Sequence, residues 1–487
     1  MDDAPVKTER SLAAIMKKPR IAVLGGGPAG LGAAWVLSRE GKASVELFEA
    51  GGRLGGNAGS FDADGVNCDF GSHRLHPASD PKILADIKSL LGEDLLLRPR
   101  HGRIRLKGSW IHFPLKPFDL ATGLPPVFSA SLFFDAATAK LRAPKVDLET
   151  FGSVMLGGLG RAMCESFYFP YMKKLWGLAP DELAPTLAKR RVSGSTLPKL
   201  MRKIFASLPG LKSPTTGKFF YPRGGFGAIC DRLGEAARAS GAALHMGARV
   251  EGLGIVENRL RSVAIRRGET LEKYEVDAAW STLPLTTLVK AAGEAAPPSV
   301  SKAAQSIRYR GMILVYLVLD TDQYTEFDAH YFPELSIPIS RLSEPKNYSA
   351  AVEPSGTTIL CAELPSDPGD RFWSMDDESL GRALYGWLGE CGLPQTAKIR
   401  RAFTRRLPFA YPVYDRDYER HFATLDSWVE SVEGLLTYGR QGLFAHDNTH
   451  HALAMAYGAA DCLENGAFDN AKWGRYREEF LTYVVED

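Results

Sequence analysis

The stretch Arg20-Ile21-Ala22-Val23-Leu24-Gly25-Gly26-Gly27-Pro28-Ala29-Gly30-Leu31, followed by Glu49 after a second apolar run, decides the fold of this chain. Residues 20–24 have strand character, Leu31 to Glu40 continues with helical spacing, and Ser44 to Phe48 reads as a second strand, so a βαβ unit is predicted. Gly25 allows the tight turn, Gly27 lets backbone approach a pyrophosphate, and Gly30, next to Ala29, lets helix and strand pack closely. The helix N-terminus adds positive potential for phosphates. In a chain with 48 glycines the triplet alone is a weak signal. Glu49, nineteen residues beyond Gly30 and placed to accept ribose hydroxyls, makes it a dinucleotide fingerprint.

Arg53-Leu54-Gly55-Gly56-Asn57 follows at once. A nicotinamide site has no need of an arginine and paired glycines here. As a second clamp the loop brings backbone close to a pyrophosphate and ribityl chain, with Arg53 adding charge-assisted bonds, which predicts FAD; an ordinary glycine turn is the alternative.

At 487 residues, 45% apolar and 24% charged, the chain is an ordinary globular protein too long for one simple core. A net charge of +2 gives no argument for nucleic acid as a partner. Two basic runs, Arg98 to Lys107 and Lys398 to Arg406, read as solvated strand faces, with an anion-facing surface as the alternative. Six scattered cysteines without a CxxC pair fit neither a zinc site nor a disulfide framework; no metal is expected, and reduced thiols place the chain in the cytoplasm. No uncharged apolar run reaches the length of a membrane span, Gly311 to Leu319 being far too short. The apolar stretch Leu120 to Phe134 leaves peripheral contact with the inner membrane face open.

The predicted fold class is α/β: a discontinuous Rossmann-type FAD-binding domain with an inserted helical region and a mixed or antiparallel substrate sheet. Residues 1–18 read as a flexible lead-in. The FAD-binding domain takes 19–105, 219–300 and 430–487. A hairpin around Lys107 and Gly108 with proline-bounded helices takes 106–218, and the substrate sheet 301–429.

Glu-x-x-x-Arg-x-Gly-Gly after such a strand resembles the flavin amine oxidase and protoporphyrinogen oxidase superfamily, which also contains UDP-galactopyranose mutases. Asp69-Phe70-Gly71-Ser72-His73-Arg74, Lys174-Leu175-Trp176-Gly177, Tyr221-Pro222-Arg223-Gly224-Gly225, Tyr411-Pro412-Val413 and Gly439-Arg440-Gln441-Gly442 extend the resemblance over nearly the whole chain, toward the mutase-like branch. The resemblance implies Gly71 and His73 against the isoalloxazine, with a backbone-satisfied loop histidine as the alternative. It implies main-chain contact of Val250 with adenine, where a plain core valine is the other reading. Gly439, Arg440 and Gly442 match its second FAD motif, and Asn448 and Leu453 fall at the start of a helix aimed at the flavin. Arg191, Arg341 and Tyr411 match positions that grip a substrate diphosphate, though each also suits an ion pair or the core. His446 and His450 stand where relatives carry tyrosine and aspartate, and the aromatics from Phe167 to Trp176 read as packing more than pocket.

Three activities follow. The first is an FAD-dependent oxidoreductase passing hydride from a small molecule to flavin N5, with His73, Arg191, Arg341 and Tyr411 around the reacting centre. The second is a mutase-like isomerase using reduced FAD as nucleophile on a sugar nucleotide. The third is a flavin-binding protein without catalysis. The substrate is a small molecule, with an anionic or diphosphate-bearing one implied by the matched arginines; the oligomeric state is left open.

Overall fold

The computed structural model describes residues 18–77, 79–115, 119, 122–138, 150–192 and 217–485. The lead-in up to Lys17, Leu120 of the apolar stretch, and Pro144 and Pro198 of the helical insert lie outside the described residues.

Arg20–Leu24 is a strand whose last four residues are buried, and it pairs in parallel with Ser44–Phe48 on one side and Ala278–Ser281 on the other. Leu435–Thr437 and Ala243–His245 extend these to a five-stranded parallel sheet. Between the first two strands runs the helix Pro28–Arg39, with proline in its first turn, where the missing N–H costs nothing. It is apolar nearly all round because it is wedged against the helices Ala228–Ala239 and Thr449–Asp461. The βαβ unit is thus present where the sequence predicts it, with the helix starting earlier, at Pro28.

A second, seven-stranded mixed sheet runs in the order Ile399–Pro412, Tyr309–Leu319, Thr358–Pro365, Arg341–Ser343, Ala329–Tyr331, Gly102–Leu106, Ser109–Phe113. Its long strand Tyr309–Leu319 is apolar at every position from Met312 onward because both faces are covered. Ile313, Val315 and Leu317 pack under the helix Asp377–Glu390, while Met312, Leu314 and Tyr316 meet the hairpin Ser60–Ala63/Val66–Asp69. The predicted hairpin at Lys107 and Gly108 forms the far edge of this sheet.

The first basic run is half-buried and the second largely exposed, and in both most arginines have partners in other elements. Arg98 Nε donates to the Tyr348 carbonyl at 3.1 Å, Arg103 lies over Trp110 and Phe327, and Arg105 pairs with Glu334. In the second run Arg401 forks onto Asp64, Arg400 pairs with Asp320, and Arg406 Nε donates to the Trp373 carbonyl at 3.0 Å. Charge alternation along a strand does not reveal such cross-element partners, one of them more than 300 residues away. All six cysteines are free and buried. Among the described residues no helix is long and apolar enough to cross a membrane, and no cluster of three or more His, Cys, Asp or Glu is arranged to hold a metal ion.

Candidate functional site

A cavity of about 390 Å³ lies at the carboxyl ends of the parallel strands and reaches across to the seven-stranded sheet. Gly25 to Ala29, Glu49, Thr282 and Arg440 follow four of those strands and line one wall. This is the crevice in which open α/β sheets bind ligands.

The fingerprint glycines divide by role. A Cβ on Gly30 would stand 1.9 Å from the Gly25 carbonyl oxygen, so this glycine is needed for the fold itself. A Cβ on Gly27 would meet nothing within 4 Å and faces the cavity, so its bareness leaves room for a ligand. The first turn of Pro28–Arg39 contains no acidic residue, which keeps its positive end available to an anion. Glu49 is anchored by Gly26 N at 2.8 Å and Gly51 N at 2.7 Å.

Arg53 does not line this cavity. Its guanidinium donates to the carbonyls of Leu54 at 3.1 Å and Gly56 at 2.8 Å and stacks 3.5 Å from the Phe70 ring, so its bonds hold the loop's own shape. Gly56 and Asn57 do line the cavity, whereas Leu54 and Gly55 lie behind it. Val250 sits in the strand Arg249–Val256 opposite Ile265, and Leu453 packs between helices under Gly32; neither is in the lining. Gly439 and Gly442 bound a short turn whose Arg440 reaches the cavity, and Asn448 caps the helix Thr449–Asp461 at its wall.

At the other end the cavity brings together His73, Arg191, Arg341 and Tyr411. Gly71, at a φ of +98°, turns the loop so that Ser72 N donates to Glu363 Oε1 at 2.8 Å and His73 lies over Phe226. Burial first, then the charges of Arg341 and Arg440, lower the His73 pKa to about 3, so it is a neutral imidazole. Arg341 is held in a fork by Glu363, with Nε on Oε1 at 2.9 Å and a terminal nitrogen on Oε2 at 3.0 Å. Arg74 donates to Tyr331 OH at 2.9 Å and to Asp328 Oδ1 at 3.1 Å. Trp176 is buried beneath, its indole N–H on the Pro412 carbonyl, with Arg191 over its ring and Tyr411 and His446 beside it. Trp176 is therefore core and Phe167, Tyr168 and Phe169 are half-buried against the core, while Tyr171 and Leu175 come through to the cavity.

Sequence reasoning did not single out Glu363, Tyr331, Gln441 or Asp447 as site residues. Glu363 is the one acid in an otherwise apolar strand, Thr358–Pro365, and that isolation was the available signal. Asp447 precedes a helix cap, a position where an acid is unremarkable.

The sequence profile of flavin containing amine oxidoreductases matches residues 28–405. No curated protein matches the chain. Among solved structures, a reduced UDP-galactopyranose mutase superposes with a TM-score of 0.80 at 19% identity, covering 96% of this chain and 98% of the other. A protoporphyrinogen oxidase-like protein from Exiguobacterium sp. 255-15 gives 0.68 at 19%, covering 92% and 98%. Cyclohexylamine oxidase from Brevibacterium oxydans IH-35A gives 0.62 at 15%, also covering 92% and 98%. At these identities the superpositions speak for the fold alone, while the profile spans more than half of the chain: this protein belongs to the flavin containing amine oxidoreductase family.

Proposed function

We propose that this protein is an FAD-dependent oxidoreductase that removes a hydride from a bound small molecule. The residues present fit the cofactor. Gly27 opens onto the cavity where a side chain would project, an acid-free helix N-terminus faces the phosphate position, and Glu49 is held ready for a ribose. Buried polar atoms in the same wall, Gln441 Oε1 among them, have no hydrogen-bond partner among the described residues. Bound there, the flavin supplies a two-electron hydride acceptor. The chain's own residues bind, orient and exclude water: Tyr171, Leu175 and Tyr411 form an apolar flank, and neutral His73 offers a hydrogen bond without a charge.

One observation carries this reading over an isomerase acting on a sugar nucleotide: the Arg341 fork is already taken by Glu363. Arg74 is likewise paired, with Asp328. A diphosphate brings about two negative charges and needs uncompensated cations, and it would meet the Glu363 carboxylate in the same wall. With Arg341 and Arg74 each paired to a carboxylate, this part of the wall suits a substrate that loses a hydride.

The second reading, a mutase-like isomerase, is favoured by the convergence of Arg191, Arg341 and Tyr411 in one cavity. Anaerobic incubation separates the two. Candidate substrates that bleach the oxidised flavin support the oxidoreductase; turnover of UDP-galactofuranose that requires dithionite would overturn it. The division into an FAD-binding domain of residues 19–105, 219–300 and 430–487, and the cytoplasmic setting supported by six free thiols, belong to this proposal.

A further inference from the structure

Asp447 lies between the short turn Gly439–Gly442 and the helix Thr449–Asp461, directly before the cap residue Asn448. It lines the cavity described above, is 4% exposed, and neither carboxyl oxygen meets a hydrogen-bond donor among the described residues. The other ionisable groups of the cavity are committed. Glu49 is fixed by two backbone N–H groups and Glu363 by Arg341 and Ser72 N. Burial among arginines keeps His73 and His446 neutral. Burial also raises the Tyr411 hydroxyl above its ordinary range.

The groups that face Asp447 come from four elements. Arg440 and Arg190 act on it at a distance, and Tyr414 and Tyr483 feel its charge. His446 is its neighbour in the chain. The nearer guanidinium, that of Arg440, donates at 3.0 Å to the carbonyl oxygen of Asp447 and leaves the carboxylate alone. A buried carboxylate without donors is costly, and a protonated one is much less so.

We propose that Asp447 is the proton store of this cavity: it takes one proton from solvent when the bound cofactor gains two electrons and a negative charge, and gives it back on reoxidation. The exchange is COO⁻ + H⁺ → COOH at the side chain, and the electrons stay on the cofactor throughout. The inference rests on the flavin reading above; Asp447, Asn448 and Thr449, at the N-terminus of Thr449–Asp461, line the cavity assigned to the flavin. An added negative charge there weakens the help that Asp447 draws from the helix end and from Arg440 and Arg190. Burial already holds this carboxyl at about 7, so the exchange is partial at pH 7 and grows as pH rises above it.

The test is the reduction equilibrium of the FAD-loaded protein against reference dyes between pH 7 and 8. With one proton per two electrons, the equilibrium constant for reduction falls tenfold per pH unit. With Asp447 taking part of a second, the fall steepens toward a hundredfold. The wild type should show a slope clearly steeper than tenfold and Asp447→Asn the tenfold one; any proton taken by the cofactor itself is common to both proteins. Asp447→Ser serves as the second variant should the asparagine protein lose cofactor. A tenfold slope in the wild type, or equal slopes in wild type and variants, overturns the inference while leaving the flavin reading in place. A wild-type protein that binds no flavin overturns both.

Discussion

Arg341 and Glu363 stand opposite each other on adjacent antiparallel strands, and their side chains form a two-point ion pair in the cavity wall, with the carboxylate 5% exposed and the guanidinium 16%. Glu363 also takes Ser72 N, so one carboxylate sets both the charge of the wall and the position of the loop that carries His73.

Replacing Glu363 with Gln should uncover the Arg341 charge and loosen the loop. Breaking one side of a buried pair costs about 3–5 kcal/mol. Thermal unfolding should therefore fall to a clearly lower temperature, and inorganic pyrophosphate should bind at least about tenfold more tightly by calorimetry, a gain of about 1.4 kcal/mol. Unchanged pyrophosphate affinity would mean that the pair does not mask the arginine.

Lys174 is a buried anchor of the segment leading into Arg341. Its ammonium donates to the carbonyls of Phe332, of Glu334 at 2.7 Å and of Ile339 at 3.0 Å. Lys174→Met keeps the bulk and leaves those carbonyls without their donor, which should cost about 3 kcal/mol or more. Denaturant unfolding of the variant measures this; a loss under 1 kcal/mol, on the order of a single ordinary hydrogen bond, would show that the segment finds other donors.

His73 makes the folded protein sensitive to acid. Its pKa lies at about 3 in the folded chain against an ordinary 6.5. Between those values the unfolded chain binds a proton here that the folded chain does not, so stability falls as pH falls through that window, by up to about 1.4 kcal/mol per unit. From pH 6.5 to 5, His73→Asn should lose about 2 kcal/mol less than the wild type in urea unfolding. Equal losses would assign the acid sensitivity to other groups.

The sequence made the βαβ side of the cavity legible because its constraints are local. Gly30 must be bare to clear the Gly25 carbonyl, Pro28 opens a helix, and Glu49 ends a strand, and each leaves its mark within thirty residues. The wall facing it was less legible. Arg341 was visible as an arginine at a suggestive position, but its partner Glu363 lies one strand over, and only the register of the two strands brings them together. The same holds for Arg53, whose spacing fits a phosphate clamp while its bonds go to the loop's own carbonyls. Charge at a site is a matter of pairing, and pairing across a sheet is not written in neighbouring residues.

The central claim, that the cavity beside Gly27 holds FAD, is tested most directly by the flavin content of the purified or reconstituted protein set beside that of Gly27→Val. A Cβ at Gly27 touches nothing in the protein, so the variant should fold and unfold like the wild type yet lose the cofactor. The account predicts one FAD per wild-type chain and little or none in the variant. A wild-type chain that takes up no flavin, or a variant that stays yellow at full stoichiometry, would contradict it.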